Sequence, residues 1–238
     1  MKQPEILYQD DTILVCVKPA KVATQTSRVS EPDLVSILKN ELYKADRTKE
    51  PYLAVIHRLD QPVSGILVFA KTKKAAAELS RQLQKDGFAK EYLALVTGRP
   101  TEKRGVLVDW LRKDGRTNTS CVVPEGTADA RRAELSYEVI EEKNQTGDGI
   151  PEEISLVRIH LKTGRHHQIR VQMAHAGYPL LGDTRYHPEA AKESREGKWQ
   201  QIALCAYRLT FRHPKTGKQL TFEICPEFLA RRQGNNEK

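Results

Sequence analysis

Long apolar runs are missing from this chain of 238 residues. None approaches the roughly 20 residues that cross a bilayer as a helix, and residues 1–11 lack the apolar core and cleavage site of a secretory signal, so a cytoplasmic protein is expected. Cysteine is scarce as well. Cys16, Cys121, Cys205 and Cys225 show no CxxC spacing and three lie in apolar stretches, which reads as reduced core thiols rather than disulfides or zinc ligands. No HExxH spacing supports a metal site among His160, His166, His167, His175 and His187. A GxGxxG turn and a Walker loop are both absent, so no cofactor is expected. With no internal repeat and no linker, a single domain over residues 1–230 is expected, followed by a frayed tail at 231–238.

What is present is charge with a basic bias. Hydrophobic residues make up 39% and charged residues 29%, a globular composition with ample material for a core. Lys and Arg number 39 against 31 Asp and Glu, a net charge of +8, which favours polyanionic partners because neutralised phosphates release counterions.

The hydrophobic pattern predicts many hairpins and few helices. Residues 6–8 and 12–17 form a hairpin around Asp10 and Asp11, ended by Lys18-Pro19. Helical spacing places Leu34, Ile37, Leu38 and Leu42 on one face of a helix from residue 33 to about 43, before a charged loop at 44–51. A second helix of about fifteen residues follows Lys71, carries Ala75, Ala76, Leu79 and Leu83 on one face, and stops near Gly87. Residues 89–98 read as a strand, and the Arg- and Lys-rich stretch 99–134 as projecting hairpins with cations available to phosphates. Strands near 133–140 and 154–161 flank a polar loop at 141–152; residues 187–200 are polar, and 202–211 with 219–224 form a last hairpin. Thr163 is expected to cap a helix running to about Ala176, with Arg165 in its first turn and on one face with Ile169 and Met173.

Three blocks carry candidate chemistry. In His57-Arg58-Leu59-Asp60-Gln61-Pro62-Val63-Ser64-Gly65, a carboxylate sits in a Pro- and Gly-containing turn that leads into the apolar run 66–70. Asp60 there is either a turn former neutralised by Arg58 or a group aimed at a ligand. Tyr92, in the strand at 89–98, reads on its own as a half-buried aromatic. The third block runs over residues 161–177, and residues 178–186 add a Gly-containing turn that reads as structural.

These blocks resemble the motifs of the RluA-type pseudouridine synthases. The first is similar to HRLDxxTSG with a following Ala-Lys, matched at His57, Arg58, Leu59, Asp60, Ser64, Gly65, Ala70 and Lys71 and departing at Val63, where the family has Thr. The second is similar to KxYxAxVxG at Lys90, Tyr92, Ala94, Val96 and Gly98. The third is similar to TGRxHQ[I/L]RV at Thr163, Gly164, Arg165, His167, Gln168, Ile169, Arg170 and Val171, and Pro179, Leu180, Gly182, Asp183 and Tyr186 fit a further run.

The resemblance implies an RNA pseudouridine synthase with Asp60 as the essential catalytic group. Arg58 would fill the space left by a flipped base, Tyr92 would stack on the uracil, and Arg165 would pair with Asp60 and keep it ionised, with Ile169 among the supporting residues. It implies an α+β fold, a mixed and mainly antiparallel sheet with flanking helices and a central active-site cleft. The partner would be ribosomal or transfer RNA; no metal, membrane or N-terminal RNA-binding module is expected, and a monomer is the simpler expectation. Two other readings stay open at this point: an inert RNA-binding or RNA-folding protein on the same scaffold, and a carboxylate-dependent N-glycosidic hydrolase.

Overall fold

An aspartate turn starts the chain. In the computed structural model, which describes residues 3–26, 31–85, 87–144, 153–187, 189 and 201–233, strands β1 (Glu5–Gln9) and β2 (Ile13–Lys18) form an antiparallel hairpin. The Asp10 carboxylate closes it by accepting the Thr12 and Ile13 amides at 2.7 and 2.9 Å. The fold is α+β, and the chain divides into two compact units, one built from residues 1–90 and 206–238 and the other from residues 91–205.

In the first unit, β2 pairs antiparallel with β4 (Ser64–Ala70), from Ile13 opposite Ala70 to Lys18 opposite Gly65, and the short β3 (Ala54–Val55) pairs with the far end of β4. The uninterrupted apolar sequence of β4 suits a strand covered on both faces, and residues 65–70 are all buried. Helix α1 (Leu34–Ala45) opens on a reciprocal Asp33–Ser36 capping box, and α2 (Lys73–Gln84) on Thr72, whose hydroxyl accepts the Ala75 amide. Ala75 and Leu79 of α2 pack with Ile13, Val15, Ile66 and Val68. The unit is completed by β10 (Leu204–Arg212, in this unit from Ala206), the antiparallel β11 (Gln219–Glu223) and α4 (Glu227–Gln233). Residues 231–233 form the last turn of α4, and residues 234–238 of the expected tail lie outside the described residues.

His213 locks this unit at its start. Its Nε2 lies 2.7 Å from the Asp10 carboxylate, and Lys71 donates to the Asp10 carbonyl. Burial pushes the Asp10 carboxyl up, but the Ile13 and Thr12 amides, the Thr12 hydroxyl and His213 outweigh it and hold the group well below the ordinary carboxylate range. A depressed folded-state pKa stabilises above the unfolded value and is lost as pH falls below it. Asp10→Asn is thus expected to cost about 1–3 kcal/mol at neutral pH and to flatten the loss of stability below about pH 4, read by urea unfolding across pH.

The second unit is an antiparallel sheet in the order β5 (Ala89–Thr97, in this unit from Glu91), β9 (Glu153–Leu161), β8 (Arg131–Asn144), β6 (Arg104–Asp114) and β7 (Thr119–Val123). β8 runs on to Asn144 where a loop was expected, because after a bulge between Val139 and Glu141 it keeps pairing with the start of β9; residues 145–152 of that loop lie outside the described residues. Helix α3 (Gln168–His175) rests Val171 on Leu111 and Ala133. Ala133 and Tyr137 share a face of β8, Tyr137 stands opposite Ile159 and Ile159 opposite Tyr92, so Tyr92 lies on the α3 side of this sheet.

Candidate active site

The turn bearing Asp60 is clamped by main-chain contacts from within its own unit. The Thr24 hydroxyl donates to the Leu59 carbonyl at 3.0 Å and accepts the Leu59 amide at 3.2 Å. One residue past Asp60, the Gln61 carbonyl accepts Lys18 Nζ at 3.1 Å, and its side-chain amide donates to the Lys21 carbonyl. Asp60 closes the turn by accepting the Val63 amide on its own carbonyl at 3.0 Å. Leu59 and Val63 point inward, both buried, while the Asp60 side chain is half-exposed and Arg58 is exposed, its Nη2 reaching the Gln25 carbonyl. Val63 therefore fills an apolar position, and Thr24, Lys18 and Gln61 anchor the turn there. Gly65 ends it at φ +139°, where a Cβ would come within 2.5 Å of the Ala206 carbonyl oxygen.

Lys18 is the residue the sequence pattern concealed. It ends the apolar strand β2, is fully buried, and also donates to the Pro19 and Val22 carbonyls at 3.0 and 2.7 Å. Burial pushes its ammonium down to about 7, and the neighbouring Asp60 charge opposes that shift. An unfolded lysine titrates near 10.4, so between about pH 7 and pH 10 the unfolded chain binds the extra proton and stability rises with pH. Lys18→Met is expected to remove this rise, measured by denaturant unfolding at successive pH values; an unchanged slope would mean that Lys18 is solvated. Burial, with a smaller contribution from Lys90, likewise pushes the His57 imidazole down to about 3, so the ring is neutral beside Phe88, with centroids 5.9 Å apart.

In the second unit, Tyr92 is buried, 6% exposed, on β5. Arg165 is exposed but not loose: its Nε donates to the Arg132 carbonyl at 2.9 Å and its amide to the Gln168 side chain at 2.9 Å. Ile169 is buried on α3. Thr163 does not cap this helix, and Arg165 precedes its first turn. The reason is that the Thr163 hydroxyl is taken by the Glu134 amide and by Gln168, and the helix starts only after His167, whose left-handed φ of +53° breaks the chain direction.

That break is held by a polar network. His167 Nδ1 lies 2.7 Å from the Tyr186 hydroxyl, which also accepts the Ser120 amide at 2.8 Å. The His166 ring stacks on His167 at 3.8 Å, and its Nδ1 meets the Ser120 hydroxyl at 2.9 Å. Arg170 pairs through two hydrogen bonds with Asp183, both buried, and lies 5.1 Å over the Tyr186 ring. Burial first, then the Arg170 charge, pushes His167 down to about 3, so the ring at the helix start is neutral. The sequence showed Asp183 and Tyr186 as members of a turn and of a family run, read as structural and with no partner named. Among the described residues no group of three His, Cys, Asp or Glu side chains could hold a metal ion, and no helix is long and apolar enough to cross a membrane.

The family described as RNA pseudouridylate synthase matches residues 12–175. The chain belongs to that family, in its RluA-type branch. It is 33% identical over 230 residues to the dual-specificity RNA pseudouridine synthase RluA of Escherichia coli, covering 94% of this chain and 93% of that protein. It is also 33% identical over 225 residues to the ribosomal large subunit pseudouridine synthase D of Vibrio cholerae, covering 91% of this chain. The chain spans 65% of the length of that relative. A human structure, RNA Pseudouridylate Synthase Domain Containing 1, shares the fold at a TM-score of 0.76 and 24% identity, over 96% of this chain and 85% of that one. The α+β synthase fold expected from the motifs is therefore the fold present.

Proposed function

We propose that this pseudouridylate synthase family member isomerises uridine to pseudouridine in ribosomal RNA, with Asp60 as the essential carboxylate. The observation that carries the reading is the Asp60 turn: a half-exposed carboxylate on a loop fixed by Thr24, Gln61 and a buried Lys18 ammonium. In the reaction the N1–C1′ bond breaks, the uracil turns, a C5–C1′ bond forms, N1 gains a proton and the C5 proton passes to water. No electrons are exchanged, so the balance calls for no redox cofactor. Asp60 carries the step that releases the base. Arg58 occupies the vacated stack, Tyr92 and Ile169 support the uracil, and Arg165 holds Asp60 ionised. The match over residues 12–175 runs through both compact units, which supports residues 1–230 acting as one catalytic domain on RNA; we propose further that it works as a monomer in the cytoplasm.

The test is tritium release from RNA labelled at uracil C5. Release into water, with pseudouridine appearing in equal amount, is the expected result for unmodified ribosomal RNA. Binding without release would leave an inert RNA-binding protein, and free uracil would identify a hydrolase.

A further inference from the structure

In the second unit Lys113 and His166 neighbour Ser120, and Arg185 reaches the main chain two residues before it. Lys113 stands directly opposite Ser120 across the β6–β7 pair, which puts the two side chains on the same face about 5 Å apart at Cβ. The Ser120 hydroxyl meets His166 Nδ1 at 2.9 Å, and the Ser120 amide is held by Tyr186. Arg185, the neighbour of Tyr186, donates from Nη1 to the carbonyl of Asn118, two residues before Ser120, at 2.6 Å. The hairpin tip, the loop before α3 and the turn at 183–186 are thus tied at a single point.

Charge at that point is unbalanced. Among the described residues neither Lys113 nor Arg185 has a carboxylate within ion-pair distance, and both are exposed. Of the acids adjacent to them in the chain, Asp183 is buried against Arg170, and Asp114 is engaged by the Arg116 amide and lies near Arg112. Burial first, then Lys113, Arg170 and Arg185, pushes His166 down to about 4, so the ring is neutral. In the tautomer whose Nδ1 accepts from the Ser120 hydroxyl, the neutral ring carries its proton on Nε2, a donor suited to an anionic oxygen, and that is the tautomer a bound anion selects.

We propose that Lys113, His166 and Arg185 form a subsite for a backbone phosphate of the RNA, additional to the Asp60, Arg58, Tyr92, Arg165 and Ile169 set. This rests on the RNA reading above. A phosphate supplies the missing negative charge and accepts from a guanidinium, an ammonium and an imidazole together.

The full chain is titrated with an unmodified transcript of large-subunit ribosomal RNA at KCl concentrations from about 50 to about 300 mM, comparing wild type with Lys113→Ala/Arg185→Ala. The double variant is expected to lower the slope of log Kd against log salt by about 1–2 and to weaken binding about tenfold near physiological salt. Because Arg185 also holds Asn118, Lys113→Glu serves as a second variant whose exposed side chain makes no contact the fold needs; its slope is expected to fall by about 1. Tritium release by wild type is followed on the same transcript. Release with unchanged slopes in folded variants overturns the subsite and leaves the function standing. A wild-type protein that neither binds nor turns over this RNA overturns both.

Discussion

Asp60→Asn is expected to abolish tritium release from C5-labelled ribosomal RNA, a loss on the order of a thousandfold or more, while the protein stays folded and still binds RNA. The geometry separates these outcomes. The contacts from Thr24, Lys18 and Lys21 reach main-chain atoms of residues 59 and 61 or the Gln61 side chain, so an isosteric amide at position 60 leaves them in place. What the substitution removes is a negative charge, and that charge raises the Lys18 pKa against burial. The variant should therefore show a small fall in melting temperature, with the Lys18 pKa moving further below about 7. Comparable activity in Asp60→Asn would sink the assignment of the essential carboxylate. A collapse of folding would instead show that the Lys18–Asp60 pair is structural.

The difference between what was legible in the sequence and what was not follows from the range of the interactions. The strand from Ser64 and the helix from Lys73 were readable because their signals are local: an unbroken apolar run in one, helical spacing and a glycine stop in the other. Asp60, Tyr92 and Arg165 stood out through short motifs. The start of α3 was misread because Thr163 looks like a cap within its own segment, whereas its hydroxyl is claimed by Glu134, 29 residues earlier. Lys18 was missed for a similar reason. As one lysine at the end of a strand it looks exposed, and only the return of residues 59–61 buries it. The Ser120–His166 and Tyr186–His167 contacts span 46 and 19 residues, and no periodicity announces contacts of that kind.

Asp183→Asn is expected to lower stability by about 3–5 kcal/mol, which for a chain of this size is a fall of about 6–20 °C in melting temperature. Asp183 is fully buried and Arg170 nearly so, with two hydrogen bonds of 2.7 and 2.8 Å between them. Removing the Asp183 charge takes the bidentate carboxylate from a guanidinium that stays buried and cannot shed its proton as a lysine would. The carboxylate also accepts the Arg185 and Tyr186 amides at 3.0 and 3.3 Å, so its loss loosens the turn that carries Tyr186. From Tyr186 the disturbance reaches the Ser120 amide and His167, hence the β6–β7 hairpin and the start of α3. Arg170→Met together with Asp183→Asn should cost less than Asp183→Asn alone, since the buried guanidinium that lost its carboxylate is then removed as well. Thermal melts of the two single variants and the double decide it: additive losses would show that the two groups act independently, and a partial rescue in the double is expected if the loss of the carboxylate from a buried guanidinium carries most of the cost.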